Sequence, residues 1–285
     1  MNSLILGSGY GIYVYLPAIY KVSKYIYLNE DYKITFSKRK NLKKFKNKII
    51  WYSDNFQKLS KIDNLIIAKR PKDQLKIIKK LDFKNQGIKR LFLEKPIAQN
   101  PINSLKIVNF LEKKKINFNL GFLFKFLKWY QFFKNKKKFT KNYQIIWSIK
   151  INQKNKPWKL NKQNGGGILR FYGIHFIRFL YENNFTKVKS KIINKEIFSI
   201  TSQLNNKFEI KFKLHFSNKN KFLIKSDDKL LYNSPNPFLK EIKKYSDPRI
   251  KITSKYFINA LKTYKTNYKH EKNFILFWKS IENEN

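Results

Sequence analysis

The chain lacks cysteine altogether and contains one methionine and three histidines among its 285 residues. Without cysteine it can form neither a disulfide nor a thiolate metal site, so a reducing cytoplasm is the expected compartment. The histidines, His175, His215 and His270, do not form a close-spaced ligand pair. We therefore expect no metal site.

Long uncharged stretches are also scarce. Residues 3–20 carry no charge, but they contain Pro17 and three glycines, have no basic start and lack a small-x-small cleavage site. This composition favours a strand, loop and helix over a signal peptide or a membrane span. We predict a soluble protein with no membrane partner.

Acidic residues are few, with 18 Asp and Glu against 62 Lys and Arg, giving a net charge of +44 and a pI near 10.2. Such a balance often indicates nucleic-acid or anionic-membrane binding. Here the basic residues are spread along the chain, and the densest runs, 38–48 and 134–138, accompany no RNA-binding aromatic motif, zinc-finger spacing or heptad. We expect weak nonspecific binding to polyanions and no specific nucleic-acid partner.

The first 120 residues alternate apolar runs with segments of helical spacing. Strand candidates are residues 4–6, 32–36, 49–52, 65–68 and 91–93, and helix candidates are 12–20, 73–81 and 101–114. Continuous apolar runs joined by helices predict a parallel sheet covered on both faces. We predict an α/β fold that begins with a doubly wound Rossmann domain over residues 1–120.

Residues 121–285 have a different pattern. Strand candidates at 143–151, 198–204, 207–216 and 221–225 are joined by Asn- and Ser-rich turns, and helix candidates lie near 255–264 and 272–281. Successive strands with tight turns predict an α+β domain with an open, largely antiparallel sheet. We interpret Asp227 and Asp228 as a turn between strands and not as an acid/base pair.

Glycines follow the first strand. Gly7 and Gly9 fit the first two positions of G-x-G-x-x-G, where glycine lets the backbone approach a pyrophosphate. The third position is Ile12, and a glycine stands one place earlier, at Gly11. We expect Ile12 to push the helix outward or to shift its start.

The predicted second strand would end at residue 36 and run into Ser37, Lys38 and Arg39 without a carboxylate. A hydroxyl and several cations suit the 2′-phosphate of NADP. This pattern favours NADP over NAD. The alternative is that the basic run only reflects the general composition of the chain.

Five stretches together resemble the Gfo/Idh/MocA family of oxidoreductases over nearly the whole chain. They are residues 7–19 (GSGYGIYVYLPAI), 66–71 (IIAKRP), 93–98 (LEKPIA), 158–159 (WK) and 165–175 (GGGILRFYGIH). The resemblance implies a Rossmann domain, a second domain whose sheet often mediates homo-oligomers, and hydride transfer between NAD(P) and a sugar, cyclitol or nucleotide-sugar hydroxyl. Surface polysaccharide synthesis is one setting for such a substrate.

The resemblance also implies residue roles. Lys95 would be the general acid/base, which requires its pKa to fall from the usual ~10.4. His175 would contact the substrate hydroxyl or relay its proton, and Tyr172 is a further proton-transfer candidate. The expected cofactor-binding residues are Gly7, Ser8, Gly9, Tyr10, Gly11, Ile12, Ser37, Lys38, Arg39, Ala68, Lys69 and Glu94. The expected substrate-binding residues are Lys125, Trp158, Lys159 and Arg170, which suit a stacked, anionic substrate. The structural alternatives are a surface lysine at 95, a core histidine at 175 and core packing by Trp158.

The chain departs from the family pattern at several positions. Phe171 and Arg178 stand where the family usually has Asp, Lys69-Arg70 replaces Thr-Pro, and Gln74 replaces His. Three hypotheses follow. The leading one is an NAD(P)-dependent oxidoreductase; the second is a catalytically silent NAD(P)-binding sensor or scaffold protein; the third is a nonspecific polyanion binder.

Overall fold

The computed structural model describes residues 1–53, 55–134, 141–151, 157–204, 208–227, 229–239, 247–263 and 265–283. The chain divides into two compact units. The first comprises Met1–Ala98, Lys106–Leu123 and Lys244–Tyr268, and the second comprises Gln99–Leu105, Phe124–Lys243 and Lys269–Asn285. Each unit contains its own six-stranded sheet.

The sheet of the first unit is entirely parallel. Its strands are β1 (Ser3–Leu6), β2 (Ile26–Asn29), β3 (Ile49–Tyr52), β4 (Asn64–Ile67), β5 (Arg90–Leu93) and β6 (Phe118–Leu120). Their spatial order is β3-β2-β1-β4-β5-β6, the doubly wound order that places a switch point between β1 and β4. The predicted Rossmann sheet is confirmed.

Eight α-helices are described. They are α1 (Leu16–Ile19), α2 (Lys33–Ser37), α3 (Pro71–Lys79), α4 (Pro101–Lys113), α5 (Lys128–Lys134), α6 (Ile174–Glu182), α7 (Arg249–Lys262) and α8 (Tyr268–Asn283). Pro71 opens α3 at a position where its missing N–H costs nothing, and Asp73 lies in the same first turn. No helix among the described residues is long and apolar enough to cross a membrane.

The strand predicted at residues 32–36 is wrong, because β2 lies earlier in the chain and these residues are helical. The side chain of Asn29, the last residue of β2, accepts a hydrogen bond from the backbone N–H of Asp31 at 2.8 Å. This cap starts a short 3-10 turn, Glu30–Tyr32, that continues into α2. Local capping therefore outweighs the strand-like alternation of Ile34 and Phe36.

The second sheet is mixed and largely antiparallel. Its strands are β7 (Tyr143–Lys150), β8 (Thr186–Ile193), β9 (Ile197–Leu204), β10 (Phe208–Ser217), β11 (Lys221–Ser226) and β12 (Lys229–Ser234), in the order β12-β11-β7-β10-β9-β8. The central β7–β10 pair is parallel and the other four pairs are antiparallel. The predicted fold class is confirmed. Asp227 follows β11 in a turn, and Asp228 lies outside the described residues.

Helix α6 supplies much of the core of the second unit. The ring of Phe176 stacks on Phe212 of β10 at 4.4 Å, and Phe179 contacts the same ring at 5.4 Å. The sequence of β8 shows no clear apolar pattern. Lysines alternate with the other residues along this strand, and most of its side chains are exposed, so the alternation of apolar and polar residues typical of a half-buried strand is missing.

Candidate functional site

The turn after β1 depends on Gly7. Its φ is +145°, and a Cβ at this position would lie 2.4 Å from the carbonyl oxygen of Ala68, directly after β4. Gly9, in contrast, is exposed, and a Cβ there would meet only the ring of Tyr13 at 4.0 Å. The turn is therefore in close contact with the end of β4 at Gly7, whereas Gly9 has open space in front of its backbone.

Gly11 takes the packing role of the third glycine. A Cβ on Gly11 would lie 2.8 Å from the Cγ2 atom of Ile5 in β1. Gly11–Tyr15 forms a π-helical turn, which holds more residues per turn than an α-helix. Ile12 is fully buried, and its N–H donates to the Gly9 carbonyl at 3.0 Å. Of the two outcomes expected for Ile12, the structure agrees with a changed helix start, because the helix begins with this wider turn at Gly11.

The side chain of Tyr10 is anchored within the first unit. Its hydroxyl lies 3.3 Å from Thr253 Oγ1 of α7, and the guanidinium of Arg249 lies 4.8 Å from its ring centre. Arg249 in turn donates to both carboxylate oxygens of Asp247. Burial raises the pKa of Tyr10 well above its ordinary value. Because the Tyr10 side chain is engaged inside the unit, we expect only the backbone of Tyr10 to contact a cofactor.

The residues predicted to bind a 2′-phosphate do not follow a strand. Ser37 Oγ donates to the Ile34 carbonyl at 3.0 Å, Lys38 is exposed, and the Arg39 guanidinium lies 4.7 Å from the ring centre of Tyr13. The residues that do follow β2 are the carboxylates Glu30 and Asp31. The structural premise of the NADP preference is therefore wrong.

The side chain of Tyr32 lies next to the turn that follows β1. Tyr32 is 8% exposed, and its hydroxyl accepts a hydrogen bond from the N–H of Gly7 at 3.1 Å. Lys69, which follows β4, places its Nζ 5.7 Å from the centre of the same ring. Sequence reasoning missed Tyr32, because the second strand was placed across it.

The Glu-Lys-Pro turn directly follows β5. The Lys95–Pro96 peptide bond is cis, and Lys95 is half-buried. The side-chain amide of Gln74, fully buried on α3, donates to the carbonyls of Glu94 at 2.9 Å and Pro96 at 3.0 Å. Gln74 thereby fixes the backbone on both sides of Lys95.

Glu94 is held inside the first unit. Burial raises the pKa of its carboxyl, against the lowering effects of the Tyr15 hydrogen bond and of the Lys95 charge. The Tyr15 hydroxyl donates to Glu94 Oε1 at 2.8 Å. A Cβ on Gly121 would lie 3.1 Å from that oxygen, so the carboxylate is closely packed.

In the second unit, the Gly-Gly-Gly turn leads into the helix that carries His175. Gly165 and Gly167 have φ values of +82° and +85°, and a Cβ on Gly166 would lie 2.3 Å from the Trp158 carbonyl oxygen. The π-helical segment Ile168–Gly173 then continues into α6. His175 is 5% exposed, and its ring stacks on Phe124 at 4.0 Å.

An aromatic cluster stands at the position of the expected carboxylate. The ring of Phe171 meets Trp158 edge-on at 5.3 Å, and Lys159 Nζ lies 5.0 Å from its centre. Tyr172 contacts Phe171 at 4.8 Å, and burial raises the pKa of Tyr172 to about 12. A phenol with this pKa is a poor proton acceptor at neutral pH.

Arg170 borders a cavity of about 790 Å³ that lies within the second unit. Its guanidinium pairs with both carboxylate oxygens of Glu282, at 2.7 and 2.8 Å, and donates to the Lys162 carbonyl at 2.9 Å. The polar lining includes Gln99, Asn100, Lys162, Gln163, Arg170 and Lys195. Lys125 is half-buried and its Nζ lies 5.3 Å from the ring centre of Phe126.

Arg178 replaces the second family carboxylate with a structural ion pair. It is 7% exposed and donates to Glu182 at 2.7 Å and to both oxygens of Glu271, at 2.7 and 2.9 Å. These bonds join α6 to α8. Within the described residues, no group of three or more His, Cys, Asp or Glu side chains could hold a metal ion.

No protein-family model and no curated protein sequence matches the chain. Solved structures do match its fold. The WlbA (WbpB) dehydrogenase from Thermus thermophilus in complex with NAD and UDP-GlcNAcA has a TM-score of 0.71 and 12% identity, covering 100% of this chain and 95% of that chain. The myo-inositol 2-dehydrogenase from Lactobacillus plantarum has a TM-score of 0.69 and 14% identity, covering 100% and 96%.

A third similar structure is the super-repressor mutant of Gal80p from Saccharomyces cerevisiae, with a TM-score of 0.72 and 12% identity, covering 100% of this chain and 95% of that chain. At these identities the likeness establishes the fold. The chain has the two-domain fold of the Gfo/Idh/MocA dehydrogenases.

Proposed function

We propose that the chain is a nicotinamide-dependent oxidoreductase that acts on a hydroxyl of a sugar, cyclitol or nucleotide sugar. The observation that carries the proposal is the turn after β1. Gly7 presses against Ala68, and Gly9 opens toward free space at the switch point of a doubly wound sheet. Ligands of such sheets bind outside the carboxyl ends of the strands at this point.

The residues present fit a dinucleotide at its pyrophosphate. The exposed Ser8–Gly9 segment leaves room for phosphate oxygens beside backbone N–H groups. Glu30 and Asp31 after β2 disfavour a 2′-phosphate, so we expect NAD to bind in preference to NADP. A bound nicotinamide supplies the hydride acceptor or donor.

Lys95 would hold and release the proton of the substrate hydroxyl. The two hydrogen bonds from the Gln74 side chain, which we call the Gln74 clamp, support this role because they fix the backbone that carries the ammonium group. His175 is the second candidate for contact with the substrate. With Phe171 in place of the usual carboxylate, Lys95 and His175 are the remaining candidates for proton transfer, and Tyr172, whose pKa is raised, stays a neutral phenol.

The cavity beside Arg170 supports an anionic substrate. Lys162, Lys195 and Arg170 outnumber the one carboxylate, Glu282, in its lining. Cations with amide groups and apolar walls suit a phosphorylated or acidic sugar. The complex of the WlbA dehydrogenase with UDP-GlcNAcA agrees with a nucleotide-sugar substrate.

The second candidate function is a catalytically silent NAD-binding sensor or scaffold. Phe171 favours it, because an aromatic ring packed with Trp158 and Lys159 cannot exchange a proton. The likeness in fold to a super-repressor mutant of Gal80p is compatible with this alternative.

Equilibrium binding followed by turnover tests the proposal. We expect NADH to bind the wild type and Gly9→Arg to abolish binding while retaining the fold, since Gly9 faces open space. Lys72→Ala, an exposed change on α3, serves as the control. With sugar and nucleotide-sugar substrates, Lys95→Met should then lower turnover by roughly 10²–10⁴ without loss of NADH binding. Binding without turnover selects the silent protein, and absence of NADH binding by the wild type refutes both functions.

A further inference from the structure

The first N–H of the glycine turn is already bonded to a side chain of the same unit. Gly7 donates to the Tyr32 hydroxyl at 3.1 Å, across 25 residues of sequence and away from solvent. The carbonyl of Ala68, 2.4 Å from where a Cβ on Gly7 would stand, leaves that backbone little room to turn. The Gly7 N–H is therefore committed to Tyr32.

Tyr32 reaches this position because β1 and β2 are parallel neighbours. Ser3 pairs with Ile26 and Leu4 with Tyr27, so the carboxyl ends of both strands lie at one edge of the sheet. In doubly wound nucleotide-binding sheets, the residue at the end of β2, about 20 positions after the glycine turn, binds the adenosine ribose. Here this place lies next to Tyr32.

Two of the polar side chains at this end of β2 have local partners. The Asn29 side chain accepts from the N–H of Asp31, and Glu30 pairs with Lys33. Tyr32 itself is 8% exposed, with Lys69 above its ring. A buried phenol, bonded to the Gly7 N–H, therefore lies beside the place where doubly wound dinucleotide-binding sheets bind the adenosine ribose.

We propose that Tyr32 occupies the adenosine-ribose position of the dinucleotide site, so that a dinucleotide binds only when Tyr32 leaves Gly7. The inference rests on the proposed function. The apparent affinity of the native chain for any ligand with an adenosine half is then its intrinsic affinity multiplied by the fraction of molecules in which Tyr32 has left Gly7. A ligand without that half is unaffected.

Calorimetric titration of four proteins with NADH, ADP-ribose and nicotinamide mononucleotide tests this. The proteins are the wild type, Tyr32→Ser, Tyr32→Phe and the control Tyr25→Ser, which removes an exposed tyrosine at the opposite end of β2. Circular dichroism and thermal melting report the fold. Tyr32→Phe keeps the ring and removes the bonded oxygen, so it carries the test if Tyr32→Ser does not fold.

We expect Tyr32→Ser to bind NADH and ADP-ribose roughly tenfold or more tightly than the wild type, with a smaller gain for Tyr32→Phe. Affinity for nicotinamide mononucleotide should not change, and Tyr25→Ser should behave as the wild type. Equal or weaker NADH binding by both Tyr32 variants, with a wild type that binds NADH, overturns the inference and leaves the proposed function standing. If neither wild type nor variants bind NADH, both are refuted.

Discussion

Gly9 and Gly11 lie two positions apart in one turn, yet their surroundings differ. A Cβ on Gly11 would lie 2.8 Å from Ile5 Cγ2, whereas a Cβ on Gly9 would meet only the ring of Tyr13 at 4.0 Å. Close packing requires a glycine at position 11, whereas the glycine at position 9 leaves space in front of the backbone. A pattern of spaced glycines does not distinguish these two roles.

We therefore expect Gly11→Ala to lower the free energy of unfolding by about 1–3 kcal/mol, the usual range for an overpacked core. Gly9→Ala should stay within about 0.5 kcal/mol of the wild type. Urea unfolding of the three proteins measures both. Equal destabilisation by the two substitutions would contradict the assignment of close packing to Gly11.

Glu271 links stability to pH. Burial alone would raise the pKa of its carboxyl, but hydrogen bonds from His270 and Arg178 lower it from 4.5 to about 2. A carboxyl whose pKa is lowered by folding stabilises the folded state above its unfolded pKa, and this stabilisation is lost as the pH falls through the folded value. The shift corresponds to about 3 kcal/mol at neutral pH.

Glu271→Gln should lower the free energy of unfolding by about 3 kcal/mol at pH 7, and its difference from the wild type should shrink between pH 4.5 and about pH 2. Urea unfolding across this range gives the measurement. Glu209→Gln makes the same change at an exposed carboxyl of β10 and should have no such effect. A difference that persists unchanged at pH 2 would contradict the role of the ion pair.

At the scale of elements, α3 and the turn after β5 form one functional part. Gln74 of α3 bonds two carbonyls that flank Lys95, and its side chain is fully buried. A buried carbonyl that loses its donor costs about 1–3 kcal/mol. The helix therefore holds the backbone of the turn that carries the proposed acid/base.

Gln74→Leu should cost about 2–4 kcal/mol of stability because two carbonyls lose their donor. It should also lower kcat with little change in NADH affinity, since the glycine turn is not altered. Chemical denaturation and steady-state kinetics test the two effects. Lys72→Leu on the exposed side of α3 is the matched control. A Gln74→Leu protein with native stability and kcat would refute the clamp.

The net charge of +44 acts on the molecule as a whole. Excess charge of one sign destabilises a compact state through self-repulsion, and salt screens that repulsion over a Debye length of about 8–10 Å. The ion pairs of Arg178 are buried and less screened. Added salt should therefore stabilise the protein.

We expect the melting temperature to rise between about 20 and 300 mM NaCl, as measured by thermal denaturation. A variant with the exposed residues Lys43 and Lys46 both replaced by Glu should melt higher than the wild type at low salt, and the two should converge at high salt. A melting temperature that falls with salt would show that attractive surface pairs outweigh the repulsion.

The apolar runs alone determined β1, β4 and β5, because strands buried on both faces of a parallel sheet are continuously hydrophobic. The apolar run of β3 was also sufficient, although β3 is an edge strand in which Ile50 is exposed. The Glu-Lys-Pro and Gly-Gly-Gly-to-His segments likewise indicated the fold. The apolar run at Ile26–Asn29 was overlooked in favour of the alternation at residues 32–36, which the side-chain cap of Asn29 leads into helix. In β8 the cause was different, because lysines alternate with the other residues and leave no apolar run.

Only the tertiary structure decided the roles of individual residues in the turns and on α3. Gly11 packs on Ile5, Tyr32 bonds Gly7 and Gln74 holds the turn around Lys95. Each of these contacts joins residues from different elements, so its existence depends on where the strands and helices have already been placed. Hydrophobic periodicity is a local property of the sequence and fixes the elements; a hydrogen bond between distant residues is a property of their assembly.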